Sequence, residues 1–135
     1  MPKHQFEVQV EPQYLPEQSS PSAGVFSFSY TITITNVGDA LAQLVSRHWV
    51  ISDANGHTEE VNGLGVVGHQ PWLKPGEAFQ YTSGCQLRAP SGAMHGSYFC
   101  LGADGTPFTC AIGLFILEAQ DPGTPGQALG ARVLH

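Results

Sequence analysis

Phe26-Ser27-Phe28-Ser29-Tyr30-Thr31-Ile32-Thr33-Ile34-Thr35 decides the fold class. Large apolar side chains alternate with Ser and Thr without a break. Only a strand, whose side chains point to opposite faces in turn, keeps that pattern on one buried face. The β-branched Thr partners suit a pleated, solvated surface, so a half-buried strand is predicted here. Asn36-Val37-Gly38-Asp39 supplies the turn that ends it.

Outward from this strand, Phe6, Val8 and Val10 alternate with Glu7 and Gln9 as a first strand, and Pro12, Pro16 and Pro21 are expected to break the chain after it. A third strand spans about Gln43 to Ser52, with Val45, Trp49 and Ile51 on one face and Leu44, His48 and Val50 on the other. Asn55-Gly56 reads as a two-residue hairpin turn that returns the chain through His57 to Val61. Pro75-Gly76-Glu77 and Pro90-Ser91-Gly92 read as further turns, with a strand from Phe79 to Ser83 between them. Met94 to Leu101 and Phe108 to Leu117 form a last hairpin around Asp104-Gly105, with Phe108, Cys110, Ile112 and Leu114 alternating. Seven strands joined by frequent turns predict an all-β, antiparallel sandwich, with the Trp of the third strand suiting an immunoglobulin or fibronectin type III arrangement. The expected core is Phe28, Tyr30, Ile32, Ile34, Trp49, Tyr98, Phe108, Ile112 and Leu114.

The length of 135 residues indicates one domain, with a core over about residues 6–117 and a loosely packed tail over 118–135. A chain of this size buries roughly two-thirds of its unfolded surface. Five basic and eleven acidic residues give a net charge of −6, which argues against nucleic acid as a partner, since phosphate neutralisation by Lys and Arg supplies much of that affinity. No apolar run approaches the ~18 residues that span a bilayer, and the N-terminus lacks an apolar signal core, so a cytosolic location and no membrane partner are expected. Cys85, Cys100 and Cys110 form no C-x-x-C pair. Cys100 and Cys110 read as buried small hydrophobes and Cys85 as a loop residue.

Gly63-Leu64-Gly65-Val66-Val67-Gly68 matches G-x-G-x-x-G, but the dinucleotide reading requires the glycines to open a helix. Pro71 and Pro75 preclude a helix of useful length, and no acidic residue lies about 20 positions on to hold a ribose. Two roles remain for these glycines. They permit positive φ and close backbone approach, or their amides form a concavity for an anion. No Lys or Arg lies between Gly63 and Trp72, which weakens the second role. Trp72 is either a cover for the core or an exposed aromatic anchor.

The six histidines invite a metal site. With a two-residue turn at Asn55-Gly56, His57 and Glu59 share a face with Ser52 and His48. His48 then lies roughly 13 Å from their end of the hairpin, too far for ligands that meet about 2 Å from one ion. No metal or catalytic residue is assigned. Tyr81-Thr82-Ser83-Gly84 lacks the leading glycine of a nucleophile elbow, and the acidic residues are scattered.

Over about Phe6 to Leu117 the chain resembles the bacterial ApaG proteins. The resemblance is carried by Tyr14-Leu15-Pro16-Glu17-Gln18-Ser19, Arg47-His48-Trp49, Ser52-Asp53-Ala54-Asn55-Gly56, Gly63 to Gly68 with Gln70-Pro71, Pro75-Gly76-Glu77, Tyr81-Thr82-Ser83-Gly84, and Met94-His95-Gly96-Ser97-Tyr98. It implies a fibronectin type III-like sandwich in a cytosolic bacterial protein without established catalysis or cofactor. It also implies a link to cobalt and magnesium resistance, and protein interaction as the role of related domains in eukaryotic F-box and polymerase-associated proteins. One departure is Ile112-Gly113-Leu114-Phe115, where the family tends to have Ile-Pro-x-Phe.

The expected function is that of a non-enzymatic module binding an unidentified protein partner, with His57 to Val61 as a candidate free edge that Glu59 and Glu60 guard against unwanted pairing. The alternative is a ligand site at Gly63, Gly65, Gly68 and His69 for pyrophosphate or a nucleotide, or for a divalent cation carried with one.

Overall fold

The computed structural model describes residues 3–119; the expected tail from residue 120 onward lies outside them. Eight strands form, one more than expected: β1 Phe6–Tyr14, β2 Phe26–Asn36, β3 Ala42–Asp53, β4 Thr58–Leu64, β5 Trp72–Leu73, β6 Ala78–Leu87, β7 Ser91–Gly102 and β8 Pro107–Glu118. One sheet has the order β1-β2-β6. The other runs β4-β3-β7-β8, with the two-residue β5 pairing the start of β3. Every named pairing is antiparallel, and β1 lies against β8 where the two sheets meet. Among the described residues no helix is long and apolar enough to cross a membrane.

Phe28, Tyr30, Ile32 and Ile34 are all buried, so period two placed β2 correctly. They meet Trp49 and Tyr98 of the opposite sheet, with Tyr30 and Trp49 ring centroids 5.5 Å apart and Trp49 and Tyr98 at 6.5 Å. Such packing of inner faces is what holds a sandwich together. The buried Tyr81 and Tyr98 hydroxyls bond to each other, which satisfies two polar groups in the core. Asn36 is buried and fully engaged: its Nδ2 donates to the Ala40 and Leu73 carbonyls, and its Oδ1 accepts from Gly38 N–H.

Several expectations fail where one residue is added to or dropped from the alternation. In β3 the register slips between Leu44 and Ser46, leaving Val45 as an extra residue. Leu44 therefore points into the core with Trp49, not away from it, and Val45 does not join the core. In β8 the register slips opposite Met94 and Gly96. Gly113 and Leu114 share one step of the partner strand, so Leu114 is 63% exposed while Phe115 and Leu117 face inward. Phe108 lies at the margin, partly buried against the core.

Pro12 does not break β1. It pairs with Tyr30 inside the strand, because β1 is an edge strand and needs no donor on its free side. Ser91 and Gly92 belong to β7, and the absent side chain of Gly92 lets the Ser52 carbonyl approach. Cys85 is not in a loop: β6 continues to Leu87 and carries the half-buried Cys85 opposite Phe28. Cys100 and Cys110 are buried, as expected.

Candidate functional site

The glycine segment divides into two parts. Gly63 lies within β4, opposite Arg47 of β3. A Cβ at Gly63 would stand 2.8 Å from the Arg47 guanidinium, so the missing side chain makes room for that cation. Arg47 Nη1 donates to the carbonyls of Leu64 (3.0 Å) and Gly65 (2.9 Å). A cation is thus present at the segment, supplied across the sheet from a position 16 residues earlier than Gly63.

Beyond Arg47 the chain makes a tight hairpin. Val66 and His69 exchange two backbone hydrogen bonds, of 2.8 and 2.9 Å, around Val67 and Gly68. Both central residues have positive φ, +43° at Val67 and +84° at Gly68, as in the mirror-image turns of hairpins. Gly68 adopts this freely, whereas Val67 is β-branched and such a φ costs on the order of 1–3 kcal/mol. Gly65 has φ +65°, and a Cβ there would collide with the His69 carbonyl. The bulge holds the hairpin in place, since the Val45 carbonyl accepts from both Gly65 N–H and Gln70 Nε2. Buried Val66 anchors it from below.

Of the four residues singled out for ligand binding, Gly65, Gly68 and His69 come together in this hairpin, while Gly63 sits in the strand before it. The amides of Gly65, Val66 and His69 are engaged internally, which leaves those of Val67 and Gly68 without a backbone acceptor among the described residues. The exposed His69 ring lies 5.6 Å from that of Phe79.

The β3–β4 hairpin differs from the expected two-residue turn. Asp53 N–H donates to the His57 carbonyl and Gly56 N–H to the Asp53 carbonyl, closing a three-residue loop with Gly56 at φ +87°. Asp53 Oδ1 accepts from the N–H groups of Asn55 and His57, and this capping selects the longer loop. The register moves by one residue, so Ser52 faces Thr58 and every side chain of β4 changes face. Glu60 joins the side of His48, whose Nε2 lies 3.0 Å from Glu60 Oε1. His57 and Glu59 turn to the inner side, lining a cavity of about 170 Å³ with Ile51, Asp53, Gln86, Leu87 and Arg88. Among the described residues no three His, Cys, Asp or Glu side chains converge as a metal ion would need.

Ser97 stands across from His48 in the β3–β7 ladder, but on an open sheet face, and His48 hydrogen-bonds Glu60. Burial pushes the Cys85 thiol up to about 11, helped by the Glu59 carboxylate, so it remains protonated near neutrality. Burial raises Cys100 to about 12, with a lesser contribution from Cys110, and Cys110 itself to about 11.

The exposed apolar side chains are concentrated in one region. Leu64 and Phe99 both flank Ser46, and Trp72 flanks Gln43, on the outer face of the five-stranded sheet. Leu114, at the β8 bulge, and Ile116 stand on the same face farther along. These are five of the seven large hydrophobics exposed among the described residues; a sixth, Val67, crowns the adjoining hairpin. Trp72 is half exposed, and its neighbour Leu73 is the one that covers the core.

Residues 16–102 match the ApaG domain model. A protein ApaG of Acidovorax sp. is 73% identical over the whole of both chains. The protein ApaG of Bordetella pertussis is 54% identical over 82% of this chain and 84% of its own. A crystal structure of a Bordetella pertussis protein described as ApaA superposes with a TM-score of 0.87 at 49% identity, covering 92% of this chain and 99% of that one. The chain belongs to the ApaG family.

Proposed function

We propose that this chain is a one-domain, non-enzymatic, cytosolic module that binds another protein through the outer face of its five-stranded sheet. The supporting observation is the gathering of Leu64, Trp72, Phe99, Leu114 and Ile116 on that one face. Exposed aromatic and aliphatic side chains grouped on a rigid sheet are the usual substance of an interface. The strained Val67 turn extends the surface at the β4 and β5 end. An anion bound at Gly63, Gly65, Gly68 and His69 would have two uncommitted backbone amides, those of Val67 and Gly68, which favours the protein-binding reading over it. Any role in cobalt or magnesium tolerance would then act through the partner.

Affinity capture from native extract tests this when wild type is compared with Phe99→Ser. A partner retained by wild type and lost by the folded variant supports the reading. Equal capture by both would remove this face from the interaction.

A further inference from the structure

β4 is the free edge of the five-stranded sheet, and its hydrogen-bonding phase can be read from its ends. Asp53 N–H bonds the His57 carbonyl and Gly65 N–H bonds the Val45 carbonyl. Alternation along an antiparallel ladder then directs the N–H and C=O groups of Glu59, Val61 and Gly63 toward β3. Those of Thr58, Glu60 and Asn62 and the N–H of Leu64 point outward, unpaired among the described residues, while the Leu64 carbonyl accepts from Arg47 Nη1 and keeps a second lone pair free. All four outward residues are exposed, so the edge is open.

We propose that this edge recognises itself: two copies of the chain pair β4 to β4, antiparallel, about a twofold axis at Val61. In that register Thr58 faces Leu64 of the second copy, Glu59 faces Gly63, Glu60 faces Asn62, and Val61 meets Val61. The outward residues pair only with outward residues, so every free backbone group of β4 acquires a partner.

The inner face supplies the specificity. Glu59 comes opposite Gly63 of the second copy, where the Arg47 guanidinium occupies the space of the missing side chain, 2.8 Å from the Cβ position. Facing Cβ positions in such a pair lie about 4.5–5.5 Å apart, within reach of a Glu carboxylate for that guanidinium. Arg47 commits only Nη1 to the Leu64 and Gly65 carbonyls, so Nη2 remains to donate. The twofold axis makes this ion pair twice, on either side of an apolar Val61 contact. Glu60 keeps its bond to His48 on the outer face. Asp53, His57 and Arg88 lie beyond the paired residues, around the cavity at the hairpin end.

The glutamates also exclude neighbouring registers. An axis at Glu60 sets Glu60 against itself, and an axis at Glu59 does the same to Glu59; like charges directly opposite destabilise a pair. An axis at Asn62 leaves Thr58 unpaired within β4 and moves Glu59 away from Arg47. Glu59 and Glu60 thus repel indiscriminate strands and admit one.

Sedimentation velocity on the purified full chain over a concentration series is the test. An edge contact of this size is weak, so dimer should grow with concentration and recede as salt screens the Glu59–Arg47 pairs. Glu59→Arg, which confronts Arg47 with a like charge, and Asn62→Pro, which removes an outward N–H that the fold does not use, should each weaken association at least tenfold while the circular dichroism stays native. Phe99→Ser should leave it unchanged, which separates this contact from the protein-binding face proposed above. Val61→Cys should cross-link under mild oxidation, whereas Thr58→Cys, its two copies roughly 20 Å apart, should not. A wild type that stays monomeric throughout, a dimer indifferent to both edge variants, or one abolished by Phe99→Ser would overturn the proposal.

Discussion

The two sheets share an interior and differ outside. On the three-stranded sheet the outward rows read Gln9-Thr33-Gln80 and Glu11-Thr31-Thr82, tied by a 2.8 Å bond between the Thr31 and Thr82 hydroxyls and a 3.0 Å bond from Gln80 to Thr33. On the five-stranded sheet the corresponding rows carry Leu64, Phe99 and Trp72 around Ser46 and Gln43. One surface satisfies itself with short polar side chains, while the other leaves apolar area in water. Among the described residues none of these side chains belongs to the core, so packing of the interior does not account for that area. The asymmetry supports the binding role proposed for that face, whereas the shared interior concerns stability alone.

The largest effect belongs to the shared interior. Trp49→Ala should lower unfolding free energy by about 3–5 kcal/mol in a denaturant titration, since Trp49 is buried against Tyr30, Tyr98 and Phe115. A cost no larger than that of a surface substitution would contradict the packing described. Alkali probes the same interior. Burial is the main cause that raises Tyr81 to about 12, and it drives Tyr98 up as well, above the ordinary value of 10. Between pH 10 and 12 the unfolded chain releases these protons while the folded chain keeps them. Stability is thus intact below pH 10 and falls above it, by about 1.4 kcal/mol per pH unit for each such group. Tyr81→Phe should flatten that slope, and an unchanged slope would assign the loss to other groups.

Smaller effects distinguish the two outer surfaces. Val67→Gly relieves the positive φ and should stabilise the chain by about 1 kcal/mol; if it also weakens partner capture, the strained turn contributes to recognition. Phe99→Ser on one face and Thr31→Ala on the other should each change stability by no more than about 0.5 kcal/mol. Only the first should abolish capture. If Thr31→Ala did so too, the contrast between the faces would carry no functional meaning.

Period two placed Phe28 to Ile34 of β2 correctly, because that stretch meets no bulge; only Ser27, bonded to the Gln18 carbonyl, is buried against the alternation. The same rule misplaced Leu44 and Leu114, since an inserted residue leaves no mark in a run of apolar side chains. Asn55-Gly56 located its turn correctly, but Asp53 chose a three-residue loop, and that single step turned Glu59 inward. The ApaG motifs identified the family, yet the partner of Gly63 was hidden: Arg47 reaches it only through the β3–β4 register. Trp72 was ambiguous for a related reason, as Pro71-Trp72-Leu73 does not reveal which of two adjacent apolar residues faces the core.

The bulge at Gly113 and Leu114 bears on which changes of length the family can tolerate. Removing a residue from a stretch of strand without a bulge reverses every side chain beyond the gap and brings polar groups into the core. Here the opposite holds. Deleting Gly113 leaves Ile112 inward, Leu114 outward and Phe115 inward, so β8 becomes a regular strand with its faces preserved. The shortened chain should fold with a thermal midpoint within a few degrees of wild type by calorimetry, whereas deleting Thr109 should prevent folding. The strand thus carries one spare residue, unlike β3, whose extra Val45 holds the glycine hairpin through its carbonyl.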